Sequence, residues 1–497
     1  MKKMIVLSVL LLAAASLTAQ VNDGWLLDDD GWPDQSDFDK FKAQSEQSFD
    51  AYRDSINARF AKALEGKWSP FEVEKPVERP RKPEPQTPPE APKPKPGRKP
   101  QEVPQRLPRG DIVPPPLPLP QPRKLPAPQP PSLMNTLALP FYGRDVKLDV
   151  PKEDRLATCT LADNGERSVA GFWLSMTNAD MGDCIALLLL QQQKLQLNDW
   201  AVYDMTRRLT EKLFPDADRQ VAATVFLLNQ MEYDARIART QKGLATLLAI
   251  DGMVYAAPYI TLGGRKYYIF MPNNGQRTLE GNICTYSCTF ENAVLKLDMN
   301  IVTAPKMAQS ESTTPYRFGN ILMPVNLNMI DFYRGYPQVE FTVYANAAVD
   351  NDFRERVEEN FRPMVQGKGT REAVSALLYY MHYGFAYATD GDQFGYEKPF
   401  FCEENFYYPK NDCEDRSILF SYLVRHLLGL EVVLLDYPDH IATAVCFPEG
   451  NVEGDYYEVD GKRFVVCDPT YIGASIGMTQ PAYRTTKAKI IQLRKLK

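Results

Sequence analysis

Proline divides this chain before any other property can shape it. Residues Pro76 to Pro131 hold 22 of the 40 prolines in 497 residues. Each proline fixes φ and removes a backbone donor, so a stretch this rich can enter neither a helix interior nor a central strand. A disordered linker of polyproline II character is expected over 67–132, and its proline-dense part could reach about 170 Å. Counting from Lys75, it carries 12 Lys and Arg against 5 Asp and Glu. The whole chain has a formal net charge of −6, so this excess of seven leaves about −13 elsewhere. A basic tether could touch anionic cell-envelope polymers, although solubility and stiffness explain the same composition. No stacking platform is interleaved with the basic residues, so no nucleic-acid module is expected.

Upstream of the linker, "MKKMIVLSVLLLAAASLTAQ" combines Lys2 and Lys3 with an apolar run from Met4 to Ala15 and small residues near Ala19. That pattern predicts a signal peptide over 1–19, cleaved between Ala19 and Gln20. No later apolar run is long enough to span a bilayer. The expected product is therefore extracytoplasmic, periplasmic or secreted from a Gram-negative bacterium, with no transmembrane anchor. Residues 20–66 begin acidic, and their "DDDG" lacks the alternating carboxylates of a calcium loop. Phe38, Phe41, Phe49, Tyr52, Ile56 and Phe60 then recur at helical spacing. This amphipathic helix could dock on the protein itself, self-associate or meet a protein partner. Its mixed charge argues against a membrane surface.

After the linker the pattern is α+β. Residues 133–345 form a second α+β region whose role the residues do not disclose. "MGDCIALLLLQQQKLQL" and "DRQVAATVFLLNQMEYDARIAR" predict helices, and Gly263–Gly264 predicts the turn of a hairpin. Strands are expected in "TFENAVLKLDMNI" and "PQVEFTVYANA". "LNDWAVYDMTRRL" echoes "KNDCEDRSILFSYL", which suggests a degenerate internal copy with Trp200 in place of Cys413. Capping by Asn-Asp explains the echo equally well, and the region has no His.

Chemistry concentrates in 346–497. Cys413 opens a helix in "NDCEDRSILFSYLVRHLLGL", His440 opens a strand in "DHIATAVCF", and Asp468 closes one in "RFVVCDPTY". A helix N-terminus favours a thiolate, an imidazole moves the proton, and a carboxylate fixes the imidazole's tautomer. The chain has three His in all, so one placed between that Cys and Asp is informative. Asp436 and Asp439 are rival orienters. His382 reads as a packed or solvated residue and His426 as an ordinary C-terminal helix His. Glu414 and Asp415 suit the helix dipole but compete with a thiolate for it.

"NDCED", "DH" before a strand and "DPTYIGASIGMTQP" together resemble the transglutaminase-like superfamily, in its bacterial cysteine-peptidase type. The resemblance covers the C-terminal domain only. It implies a papain-like fold, with the Cys helix packed on an antiparallel sheet. It also implies a nucleophile at Cys413, a general base and acid at His440 and an orienting carboxylate at Asp468; the hydrolase expected from them needs no cofactor, and the spacing of Cys413, His440 and Asp468 matches no common zinc pattern, so no metal is expected. Some relatives hold the oxyanion with a Trp upstream of the Cys. All five Trp here lie outside the segment, leaving the Cys413 amide with Tyr383, Tyr387 or a loop amide.

The eight cysteines do not form a disulfide framework, although Cys284 and Cys288 could pair. The expected activity is hydrolysis of a peptide or isopeptide bond in a peptide or protein substrate, through a thioester. Acyl transfer to an amine uses the same residues, and a non-catalytic envelope-binding scaffold is the alternative from another class. The aromatic run "FGYEKPFFCEENFYYPK" could wall a cleft that holds an extended peptide.

Overall fold

The computed structural model describes residues 51–80, 82, 84–87, 104–116, 134–272, 279, 281–450 and 452–496. The expected signal peptide, the acidic stretch and the first half of the amphipathic helix lie outside these residues. The chain divides into two compact units at Ala63 and Leu64. In the first, residues 51–63 are helical, as the aromatic spacing predicts. The second unit is mixed α+β and holds every residue discussed below.

Its first sheet is antiparallel and six-stranded. The strands are β1 (Ser69–Glu72), β3 (Ala235–Thr240), β4 (Gly243–Ala249), β5 (Tyr259–Leu262), β6 (Arg265–Phe270) and β7 (Asn282–Thr285), in spatial order β1-β7-β3-β4-β6-β5; β2 belongs to the other sheet. Gly263 and Gly264 turn the β5–β6 hairpin at φ +59° and +76°, a region open to glycine at no steric cost. Helices α1 (Asp199–Leu213) and α2 (Ala217–Gln230) pack together, and α2 lies on β3 and β4. The Asn198 side chain caps α1 by accepting from the Ala201 N–H at 3.2 Å.

Two strand expectations fail here. Residues 289–301 contribute only isolated bridges, Tyr233 to Leu295 and Ile250 to Leu297. "PQVEFTVYANA" folds as helix α3 (Phe341–Asn346), although its β-branched and aromatic residues favour a strand. Phe341, Val343, Tyr344 and Ala345 are all buried, and that all-round burial overrides local propensity.

The second sheet contains β2 (Arg109–Val113), β8 (Glu431–Asp436), β9 (Ile441–Cys446), β10 (Tyr456–Val459), β11 (Lys462–Cys467) and β12 (Ala488–Gln492), in spatial order β10-β11-β9-β8-β12-β2. All its pairings are antiparallel except β12 with β2. Asp460 and Gly461, at φ +50° and +74°, turn the β10–β11 hairpin that the sequence predicts. Around this sheet lie α4 (Asn351–Val365), α5 (Thr370–Tyr383) and α6 (Cys413–Leu428). Helix α6 packs on β8 and β9 and is buried at every residue from Cys413 to Arg425. An apolar stripe on one face does not anticipate that, because α3, α4 and α5 cover its other faces. Gly429, at φ +67°, ends α6 in the left-handed cap the sequence predicts.

The proline-rich stretch is a correction. Within 67–132, β1 and β2 join the two sheets, and Arg79, Lys82 and Leu107 are buried. Proline removes its own donor only. The residues between prolines still pair where a sheet edge is open, and β2 takes the edge beside β12. The aromatic run before α6 is a second correction. Phe400, Phe401 and Phe406 are core residues at 0%, 1% and 3% exposure, so these three line no cleft, while Tyr396 and Tyr407 of the same run are exposed. All eight cysteines are free thiols, Cys284 and Cys288 included. Among the described residues, no helix is long and apolar enough to cross a membrane.

Candidate active site

The start of α6 is fixed by polar contacts under a buried surface. Asp415 Oδ2 accepts from the Asp412 N–H at 3.2 Å, and its Oδ1 from the Phe400 N–H at 2.8 Å. Arg416, 1% exposed, donates to Asn411 Oδ1 at 2.8 Å and to the carbonyls of Met381 at 3.2 Å and Phe385 at 2.9 Å. It joins the turn before α6 to the end of α5. Ser417 Oγ donates to the Ile441 carbonyl at 3.0 Å, tying α6 to the first residue of β9. Cys413 and His440 therefore belong to elements that are clamped together.

His440 and Asp468 meet as the sequence predicts. Nε2 of His440 lies 2.9 Å from Asp468 Oδ2, which also accepts from Gln480 Nε2 at 2.9 Å. The other carboxylate oxygen accepts from Thr470 N–H at 3.0 Å, Thr470 Oγ1 at 2.9 Å and Tyr471 N–H at 3.2 Å. Burial alone would raise the Asp468 carboxyl, but the His440 charge and these donors outweigh it and hold it down to about 2. Tyr483 stacks on the His440 ring at 4.9 Å and donates from its hydroxyl to Asp439. That occupies one rival orienter, and Asp436 lies under the field of Lys82 instead.

Cys413 is 1% exposed. Its Sγ donates to Glu414 Oε2 at 3.2 Å, and the Ile441 amide acts on the sulfur from the start of β9. Burial, and then the Glu414 and Asp412 carboxylates, push the thiol well up, with Lys82 and the Ile441 amide opposing them. Among the described residues the sulfur's hydrogen-bond acceptor is Glu414, and no hydrogen bond links it to His440. The structure thus pairs two of the three predicted residues, while the third is a covered thiol that donates to Glu414.

Four contributors escape sequence reasoning. Glu414, read there as a dipole partner, is the thiol's acceptor. His382 is neither solvated nor mere packing. Its Nδ1 accepts from the Gly473 N–H at 3.2 Å, so Nε2 carries the proton and donates to the Asp468 carbonyl at 3.0 Å. Gln480 sits within the quoted "GMTQP", and the scarcity of His could have singled out His382. Nothing local signals Lys82, which is 7% exposed and lies under the charges of Glu414 and Asp436. Of the two tyrosines weighed for the oxyanion, Tyr387 lies within the electrostatic reach of Cys413, Asp412 and Glu414, whereas Tyr383 is 46% exposed and meets Tyr379 at a tilt. His426, at the end of α6, pairs with Glu358 at 2.9 Å, away from this network.

Carboxylates crowd the same place. One oxygen from each of Asp390, Glu397 and Glu414 lies within 4.8 Å of the others, as do single ligand atoms of Asp412, Cys413 and Glu414. Oxygen donors of this kind suit a hard cation. Burial, and then Glu414, raise Asp390 to about 8. Comparison with known protein families, curated proteins and solved structures finds no match to this chain.

Proposed function

We propose that this protein is an exported thiol hydrolase of peptide or isopeptide bonds, with a papain-like C-terminal region. Cys413 is its nucleophile, His440 its proton carrier and Asp468 the group that orients His440. The supporting observation is the 2.9 Å contact between His440 Nε2 and Asp468 Oδ2, formed one residue from the strand position whose amide reaches Cys413. With Nε2 held by Asp468, Nδ1 is the nitrogen left to take the thiol proton. The thiolate would attack the carbonyl carbon, and His440 would return the proton to the leaving amine. Water would then release the acid from the thioester.

The test is hydrolysis of a peptide library by the full chain, alone and after limited proteolysis of its proline-rich stretch. New termini should appear for the native residue set and vanish for Cys413→Ala. Equal cleavage by Cys413→Ala, or none in either state, rules the activity out. The burial of Cys413 favours a second reading, acyl transfer to an amine, because a covered thioester meets less water. Adding a primary amine and weighing the products separates the two. A product carrying the amine would select transfer.

A further inference from the structure

A segment that the sequence assigns to the linker docks between the first sheet and the loop that holds Asp468. The Glu74 N–H donates to the Tyr259 carbonyl at 2.8 Å, and the Ala256 N–H to the Val77 carbonyl at 2.9 Å. Arg79 donates to the Val339 carbonyl, with its guanidinium 4.0 Å from the Tyr255 ring centre and 3.9 Å from that of Phe341. Lys82 follows, with Nζ 5.2 Å from the Phe341 ring centre. The Gln86 carbonyl then accepts from the Ile472 N–H at 2.9 Å, and Gln86 bridges in parallel to Tyr471. Tyr471 in turn donates to Asp468. The described residues of this segment therefore reach from the first sheet to the loop holding Asp468.

We propose that the described residues of the stretch from Lys75 to Thr87 are a tethered occupant of the candidate site, with buried Lys82 standing where the ammonium of a lysine-bearing, extended peptide would sit. The proposal names the substrate class and the control of the site above, and so rests on Cys413 being its reacting group.

Three observations carry it. Lysine is seldom buried without partners; Lys82 is 7% exposed, and the charge that most favours its ammonium is that of Glu414, the acceptor of the Cys413 thiol, with Asp436 adding to it and Arg79 opposing. Burial opposes the Lys82 charge and the favourable charges outweigh the opposition, while Lys82 in turn lowers Glu414. Next, the segment is anchored on both sides of Lys82, by Arg79 and by Gln86, as a docked strand is and a random tether is not. Finally, Pro76, Pro80 and Pro85 restrict the free chain, so less conformational entropy is lost when the segment docks. An occupant joined to its site acts at high effective concentration, and a free peptide must displace it.

The experiment measures alkylation of Cys413 by iodoacetamide in the full chain, read by peptide mass spectrometry with buried Cys402 and Cys467 as internal references. Arg79→Ala and Lys82→Glu should each speed alkylation about tenfold or more, the ratio for a shift of about 1.4 kcal/mol toward the open state. The Ile472 and Ala256 amides should lose hydrogen-exchange protection in the same variants. A synthetic peptide of residues 75–87 added to either variant should restore slow alkylation, and the same peptide with Lys82→Glu should not. Folding is checked by the unchanged protection of β9. Should one variant fail to fold, the other, with the added peptide, decides. Unchanged alkylation and unchanged Ile472 exchange overturn the proposal. Fast alkylation of released protein that hydrolyses no peptide keeps this occupant and removes the hydrolase. Hydrolysis at one rate by native and variant proteins does the reverse.

Discussion

Gln480 and His440 converge on one oxygen, Oδ2 of Asp468, each from 2.9 Å. An anion held by two side-chain donors, with three more on its other oxygen, cannot rotate to follow the imidazole. The imidazole must conform to it instead. Removing Gln480 therefore loosens the orientation of His440 without touching the thiol.

Gln480→Leu should lower kcat about tenfold, the loss of one hydrogen bond to a charged group, with KM little changed. Steady-state kinetics on a cleaved peptide check this. Gln480→Glu should be worse, because it sets a second carboxylate beside Asp468. A drop confined to KM would place Gln480 in substrate binding instead.

His382 joins the Asp468 carbonyl to the Gly473 amide, so His382→Phe takes the acceptor from a part-buried amide and leaves the buried Asp468 carbonyl only the Tyr471 N–H at 3.4 Å. The expected cost is about 1–2 kcal/mol in urea unfolding at pH 7. Burial lowers the pKa of His382 below its ordinary 6.5. The neutral form is the one folded, so its stabilisation is present above the unfolded value and is lost as pH falls through the folded one. Native protein should weaken from pH 7 to 5 more steeply than His382→Phe, and parallel curves would refute the assignment.

Asp390 carries the opposite sign. Its folded pKa, raised to about 8 by burial and by Glu414, exceeds the ordinary 3.8. The native state holds a proton that the unfolded chain releases, so this contribution is complete below 3.8 and fades as pH rises toward 8. Asp390→Asn keeps an acceptor for the Lys398 amide and removes the titration. In metal-free buffer its stability relative to native protein should improve by at least about 1 kcal/mol between pH 5 and pH 8. A flat difference across that range would refute the raised value.

Arg416→Met should be the most damaging change near the site, at about 3–5 kcal/mol. Three hydrogen bonds vanish, and Asp412 and Asp415 lose the cation whose field they share. Thermal unfolding checks it. A Tm within about 2 °C of native would show that α5 and α6 hold together by packing alone.

Much was legible locally. The Cys413 helix with its Gly429 end, the hairpins at Gly263–Gly264 and Asp460–Gly461, and the pairing of His440 with Asp468 follow from periodicity, turn chemistry and antiparallel geometry, each of which acts over a few residues or one strand pair. Packing decided the rest. Burial on all sides made a helix of Phe341–Asn346 and core of Phe400 and Phe401. An open sheet edge drew Arg109–Val113 out of a stretch that composition assigns to solvent. Lys82 lies 331 positions before Cys413 in the chain. No local pattern could announce their meeting, because proximity across that distance exists only once both sheets have formed and the segment between them has somewhere to dock.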